Sequence, residues 1–426
     1  MHIGHDMIWA LQMGEFDQAS DKPERVTNPC GWQAMHLIPH RTLVVLTLGL
    51  ATGCAPQGEP SVCEISDPAG PTVHISVDEV ADADRWDVVE IWRASGLAED
   101  GAQMMLPTSA RVGADGTLAI ADFLSGDVWL LDQQGSWLDP VAGRGEGPGE
   151  LLSPLATAWT PEGELLALDA AQSKLERFDL EAGTAETMRL PPELLGPVFS
   201  AGEVGWFGLR GDGATFVELP SLTSTAGTVE FASARPGDTG REVIWTSEYP
   251  SGTVPSYDRA TRPEWPRAQL GVGGEGWAVA PASDRYEIIV FGPSDEPEIH
   301  ICVTDRERFR QEGPDPFPPE DQWLAEIEAL PRTDSEAIFS RVHLDHDGRI
   351  WVERELPRPG AAFDPIFGVA GAHLDVLSPS GEFLARVKLP EKFRFQDAKG
   401  DTIWAFAIGE FNEVDVVAAQ IRSRAP

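Results

Sequence analysis

The stretch "GRGEGPGE" at 143–150 sets four glycines among Arg144, Glu146, Pro148 and Glu150. A glycine-rich loop can cradle a phosphate when its N–H groups converge on the anion at a helix mouth, usually with a lysine beside it. Here the glycines fit neither G-x-G-x-x-G nor G-x-x-x-x-G-K-[ST], the two glutamates repel an anion, and Pro148 lacks an N–H. The following "LATAWTPEGELLALD" reads as strand, turn, strand, so the loop is expected to be a connection.

Metal chemistry would need several ligands converging from different strands, and His343, Asp345 and Asp347 are the residues to weigh. Asp345, His346 and Asp347 directly precede Gly348, the place of a hairpin turn, where aspartate bonds nearby backbone. The turn is the leading reading, with a channel calcium or other divalent metal as the alternative. His300 in "EIHICV" and His373 in "AHLDV" fit strand faces. G-x-S-x-G, H-E-x-x-H and C-x-x-C are all missing, so no catalytic residue, metal ligand or cofactor is expected.

What would position such residues is a series of short strands. Turns at Asp115-Gly116, Ser125-Gly126 and Gln134-Gly135 separate runs rich in Val, Leu, Ile and Trp, the pattern of antiparallel hairpins. The plan repeats from a turn at Glu162-Gly163, 47 residues after the first, and returns near Gly205 and Gly213, at Glu275-Gly276, at Asp347-Gly348 and at Lys399-Gly400. A period near 45 residues with four strands per unit marks a propeller blade. The expected fold is all-β: a six-bladed propeller of four-stranded antiparallel blades over 71–426. A seven-blade count stays open because 213–270 is poorly periodic. The last unit reads as one strand short, and "PTVHISVDEV" is expected to supply it by pairing with the outer edge of the last blade. One helical insert is expected at about 304–338, where Trp323, Ile327 and Leu330 have helical spacing before Pro331.

A formal charge of −37 excludes nucleic acid as a partner, since phosphate contacts need Lys and Arg. Arg41, the apolar run Leu43–Leu50 and the small residues before Cys54 have the layout of a secretory signal, with translation expected to start at Met35. The Ala51-Thr52-Gly53-Cys54 end resembles the lipobox of bacterial lipoproteins, with Ala51 where Leu is commonest. That resemblance implies removal of 1–53, a lipid on Cys54, and a linker over 54–70. The same resemblance, with Ala55 after the cysteine where Asp commonly signals inner-membrane retention, implies the outer membrane, facing the periplasm or the exterior. Cys63 and Cys302 then remain in an oxidising compartment, either bridged or as two free thiols.

"SDPAGPTVHIS", "GRGEGPGE" and "DHDGRIWVERE" together resemble the six-bladed β-propeller lipoproteins related to NHL-repeat proteins. The resemblance implies a fold and carries no catalytic residue. Two functions follow as expectations. The leading one is a monomeric, non-enzymatic binding or scaffold module, held at a membrane by Cys54 and taking an unknown protein or small molecule. The alternative is a propeller lyase or lactonase with a metal in its central channel.

Overall fold

The computed structural model describes residues 71–82, 84–97, 103–195, 207–220, 228–248, 268–281, 285–303, 338–354, 369–409 and 413–423. The precursor segment 1–53, the whole 54–70 linker with Cys54 and Cys63, and the helical insert expected at about 304–338, apart from its last residue, lie outside them.

The described chain begins with β1 (Thr72–Ile75), α1 (Val77–Asp82) and β2 (Asp84–Ala94). A three-stranded sheet follows, β3 (Pro107–Val112), β4 (Leu118–Asp122) and β5 (Asp127–Leu131). Residues 137–142 return beside β5 through bridges at Leu131↔Trp137 and Val128↔Ala142. Next come β6 (Gly143–Arg144) and β7 (Glu150–Leu151), a short parallel pair. Two four-stranded sheets succeed them: β8 (Pro154–Trp159), β9 (Leu165–Asp169), β10 (Lys174–Asp179) and β11 (Thr184–Arg189), then β12 (Phe207–Leu209), β13 (Thr215–Pro220), β14 (Thr228–Ala234) and β15 (Glu242–Glu248). A further antiparallel run is β16 (Gln269–Gly273), β17 (Gly276–Ala280), β18 (Glu287–Phe291) and β19 (Pro297–Val303), with β1 added in parallel outside β19. The rest of the chain is β20 (Arg341–Leu344), β21 (Ile350–Glu353), β22 (His373–Leu377), β23 (Phe383–Lys388), β24 (Phe393–Lys399), β25 (Thr402–Ile408) and β26 (Val414–Ser423). These join through β2 into an eight-stranded sheet ordered β20-β21-β22-β23-β2-β26-β25-β24.

The architecture is nearly all-β and propeller-like, because each small sheet packs its apolar faces on the next. Val128 and Leu130 meet Leu165 and Phe178; Leu166 and Leu168 meet Leu209 and Val217; Phe216 and Phe231 meet Trp277 and Ile289. Ile288 and Ile301 then meet Val342 and Leu377, Trp351 and Val376 meet Phe395 and Ile403, and Trp404 and Phe406 meet Leu118 and Ile120. At about 1.5–3 kcal/mol per fully buried large apolar side chain, these seams supply the main stabilising term.

The 47-residue repeat has a structural counterpart in two buried aspartates. Asp122 ends β4 and accepts the N–H groups of Met105 and Leu106 at 2.7 and 2.8 Å. Asp169 ends β9 and accepts those of Leu152 and Ser153 at 2.8 and 3.3 Å. Each carboxylate ties the incoming connection to its own sheet. Gly116 and Gly163 turn the first hairpins with φ of 88° and 90°, values that disfavour any side chain.

The glycine-rich loop is held as a connection by the sheet after it. Lys174 Nζ donates to Gly147 O and Glu150 O at 3.3 and 2.7 Å, Glu176 accepts Gly149 N at 3.1 Å, and Lys174 and Glu176 pair at 2.8 Å. The carbonyls of Gly147 and Glu150 are thus taken by an internal ammonium, and the N–H of Gly149 by an internal carboxylate.

The closing strand differs from expectation. Within "PTVHISVDEV" only Thr72–Ile75 is a strand, and it pairs with β19, with His74 opposite Cys302. The partner of β26 is β2, in antiparallel register from Trp86↔Ser423 to Ala94↔Val416. β1 stops at Ile75 because a capping box follows it: Ser76 Oγ accepts Glu79 N at 3.1 Å and Glu79 Oε2 accepts Ser76 N at 2.7 Å, which starts α1.

Candidate functional site

The first strand of each antiparallel run lies beside the first strand of its neighbour: β3 by β8, β8 by β12, β12 by β16, β16 by β20, and β24 by β3. His346 N donates to Ala398 O at 3.1 Å and links the β20–β21 turn to β24. These strands surround a channel. At one end the hairpin turns open a cavity of about 680 Å³, walled by Trp159–Pro161, Arg210–Asp212, Gly273–Gly276 and His346–Gly348, with Val290–Pro293 and Glu298 at one side. Trp159, Gly211, Gly273, Gly274 and His346 also border a chamber of about 40 Å³ deeper in, which adds Arg111 and Asp397.

Two glycines let the channel narrow. A Cβ on Gly273 would stand 1.9 Å from Leu344 O, and one on Gly211 2.4 Å from Trp159 O, so neighbouring backbones occupy that space.

The outer wall is braced by charge. Arg210, 1% exposed, makes a bidentate pair with Asp212 at 2.9 and 2.7 Å and reaches Asp295 at 2.7 Å. Arg235 adds a 2.7 Å bond to Asp295, as does Trp277 Nε1 at 3.0 Å. Burial opposes both carboxylates, yet the guanidinium of Arg210 wins and holds Asp212 and Asp295 below the usual range. Arg210 is raised in turn, so this cluster is a structural brace across the β12–β15 and β16–β19 sheets. Glu275, Glu298 and Asp347 leave the cavity wall acidic.

The deep end is polar too. Arg111 on β3 donates from Nη2 to Val272 O on β16 at 2.9 Å and places Nη1 3.8 Å from Asp397 Oδ1. Asp397, 4% exposed, accepts Val112 N at 3.0 Å and Ala398 N at 2.9 Å. Burial pushes its carboxyl up to about 6; Arg111 and these N–H groups pull the other way, and Asp345 adds to the rise. A β-bulge between Phe395 and Asp397 aims it there. Phe393 and Phe395 face the apolar seam, and after the extra residue it is Ala398 that continues on that face.

The histidines and turn aspartates take separate places. Asp345 accepts Asp347 N, Arg349 N, Arg349 Nε and Trp351 Nε1 at 2.6–2.9 Å, which locks the β20–β21 turn. Asp347 accepts Gly400 N at 2.6 Å. His343 stands edge-on to Phe395 and 3.8 Å from Glu353; burial lowers its pKa while Glu353 opposes. His300 bonds Glu287 at 2.8 Å in a buried pair, and His373 lies 3.4 Å from Lys388. Among the described residues no group of three or more His, Cys, Asp or Glu is placed to hold a metal. Cys302 is buried and disulfide-bonded; its partner lies outside the described residues. The residues that sequence reasoning missed are Arg111, Asp397, Arg210 and Trp159.

No protein-family model and no curated protein sequence matches this chain. Among solved structures, it is similar to a DUF4221 family member from Bacteroides vulgatus, at 11% identity and a TM-score of 0.48 over 80% of this chain and 100% of that one. A gluconolactonase from Xanthomonas campestris is matched at 12% identity and a TM-score of 0.38, over 86% and 99%. Virginiamycin B lyase from Staphylococcus aureus is matched at 12% and 0.34, over 80% and 89%. At TM-scores below 0.5 these likenesses bear on neither activity nor blade count.

Proposed function

We propose that this protein is an exported, lipid-anchored six-bladed β-propeller that acts as a binding module, its ligand entering the cavity formed by the first hairpin turns. The carrying observation is that cavity, about 680 Å³ and continuous through a shared lining with a polar inner chamber. Its volume is that of a small-molecule site, and the acidic groups of Glu275, Glu298 and Asp347 stand in its wall among glycine and apolar residues. The six-blade count rests on β3, β8, β12, β16, β20 and β24 as inner strands, with the eight-stranded sheet counted as two blades joined by the β2–β23 pairing.

Export is supported by the basic, apolar and small-residue layout ending at Cys54, and by the disulfide at Cys302, a bond of oxidising compartments. Cys63 is the proposed partner: it lies nine residues before β1, which runs beside Cys302. Non-reducing peptide mapping should recover Cys63 and Cys302 as one linked pair, and an alkylatable Cys63 thiol would refute the pairing.

The ligand test is native mass spectrometry of protein extracted from membranes. A bound small molecule is expected in the wild type and is expected to be lost in Glu275→Trp, whose indole fills the cavity mouth; retention in the variant would overturn the site. Fractionation tests the anchor: Cys54→Ser should leave the membrane, and a variant still acylated there would refute it. Metal-dependent turnover by the purified protein would replace the binding reading with an enzymatic one.

A further inference from the structure

The wide cavity carries a charge that its own side chains do not cancel. Among lysines and arginines only Arg210 borders it, and that guanidinium is spent on Asp212 at 2.9 and 2.7 Å and on Asp295 at 2.7 Å. Glu275, in the β16–β17 turn, and Glu298, on β19, have carboxylates with no ion pair and no hydrogen bond among the described residues. Asp347 accepts Gly400 N, while Arg349 stands 3.6 Å away through Nη2 and gives its Nε to Asp345 at 2.6 Å. Three carboxylates from separate elements thus border one space of about 680 Å³ without a cation of their own in it.

The rest of the wall is apolar and held in place. Trp159, Pro161, Phe291, Pro293 and Pro379 border the same space. Trp159 is half-buried; its Nε1 donates to Arg111 O at 3.0 Å, and its ring lies over Gly113, where a Cβ would stand 3.1 Å from it. A Cβ on Gly292 would stand 2.0 Å from Glu298 Oε1, so the missing side chain is what lets that carboxylate lie over the β18–β19 turn.

We infer that the cavity takes an organic cation: an apolar or aromatic body that ends in a protonated amine, the ammonium set among Glu275, Glu298 and Asp347 and the body against Trp159. The inference rests on reading the cavity as a ligand site and adds the chemical class of the ligand. An anion would meet three carboxylates. A bare metal ion needs several ligands converging on one point, and no group of three or more His, Cys, Asp or Glu among the described residues is so placed. An ammonium needs no such convergence, because it is held at ion-pair distance and over an aromatic face. Glu275, Glu298 and Asp347 are exposed, so each ion pair is weak; the apolar body supplies most of the affinity, and the charge supplies the selectivity.

The test varies charge on one molecular body: tryptamine, neutral tryptophol and anionic indole-3-acetate are titrated by calorimetry into the full chain purified in detergent. Tryptamine is expected to bind about tenfold tighter than tryptophol, the yield of two or three exposed ion pairs. Indole-3-acetate should bind more weakly than either. Raising NaCl from about 0.05 to about 0.5 M should erase most of the preference for tryptamine and leave tryptophol unmoved. Glu275→Gln combined with Glu298→Gln should bring tryptamine down to the affinity of tryptophol, with tryptophol binding and the melting temperature kept. Glu296→Gln removes an exposed acid that does not border the cavity, and should keep the preference. Equal binding of tryptamine and tryptophol, a preference that survives the double variant, or one lost as much in Glu296→Gln would overturn the proposal. If no indole binds while Glu275→Trp still loses its co-purified ligand, the cavity reading stands and the cation assignment falls. If tryptamine binds Glu275→Trp as it binds the wild type, the cavity reading itself falls.

Discussion

Arg111 on β3 crosses the channel to β16, where its Nη2 donates to Val272 O at 2.9 Å. The two strands are not sheet partners, so this side chain is a strut across the channel, and the same guanidinium stands 3.8 Å from buried Asp397.

Arg111→Met should remove a charge-assisted hydrogen bond worth about 1.5–3 kcal/mol. The loss should be larger at pH 8 than at pH 5.5, because only the ionised Asp397 misses the cation. Urea unfolding at both pH values checks this, and equal losses would show that Asp397 does not sense Arg111.

Asp397 itself predicts a pH slope. Its folded value of about 6 lies above the ordinary 3.8, so the folded state binds the proton more tightly. The stabilisation is complete below about pH 4 and is lost as pH rises through 6. Two units correspond to about 3 kcal/mol. Asp397→Asn should cancel that share of the slope, so the wild-type-minus-variant stability difference should fall between pH 4 and 7. A difference flat with pH would refute the assignment.

The buried Lys174–Glu176 pair pins the glycine-rich loop, with side-chain exposures of 1% and 0%. Lys174→Met leaves Glu176 charged and unpaired by a cation, and should cost about 3–5 kcal/mol. Adding Glu176→Gln should recover a large part, which a double-mutant cycle in urea would measure. Additive losses would mean that the two side chains act independently.

Closure by β2 gives a truncation test. A chain starting at residue 84 loses β1 and α1 but keeps β2; one starting at 96 also exposes the edge of β26. Both lack Cys63, so the disulfide does not bias the comparison. The second should melt far lower and aggregate through its open strand edge. Similar melts would place the closure elsewhere.

Much of the plan is legible from the residues because turns and alternation are local. Gly116, Gly163 and Gly348 sit where left-handed turns are needed, and the spacing of the first two already sets the repeat that Asp122 and Asp169 stamp into the sheets. The turn role of Asp345 follows from its place three residues before Gly348. The start of α1 was legible as well, in the Ser76–Glu79 box, but the β-branched residues around it read more strongly as strand.

The strand partners and the chamber were settled only by tertiary structure. Which edge takes β1 and which takes β2 depends on pairing over more than two hundred residues, for which no local pattern exists. Strict alternation puts Asp397 on the face of Phe393 and Phe395; the bulge beside it reverses that face and turns the carboxylate to the channel. Composition determines that this chain makes short strands and tight turns with an acidic surface. Ring closure decides that Arg111 and Asp397, 286 positions apart, meet across a chamber of about 40 Å³, because a local signal cannot carry a contact that exists only once the last sheet has packed on the first.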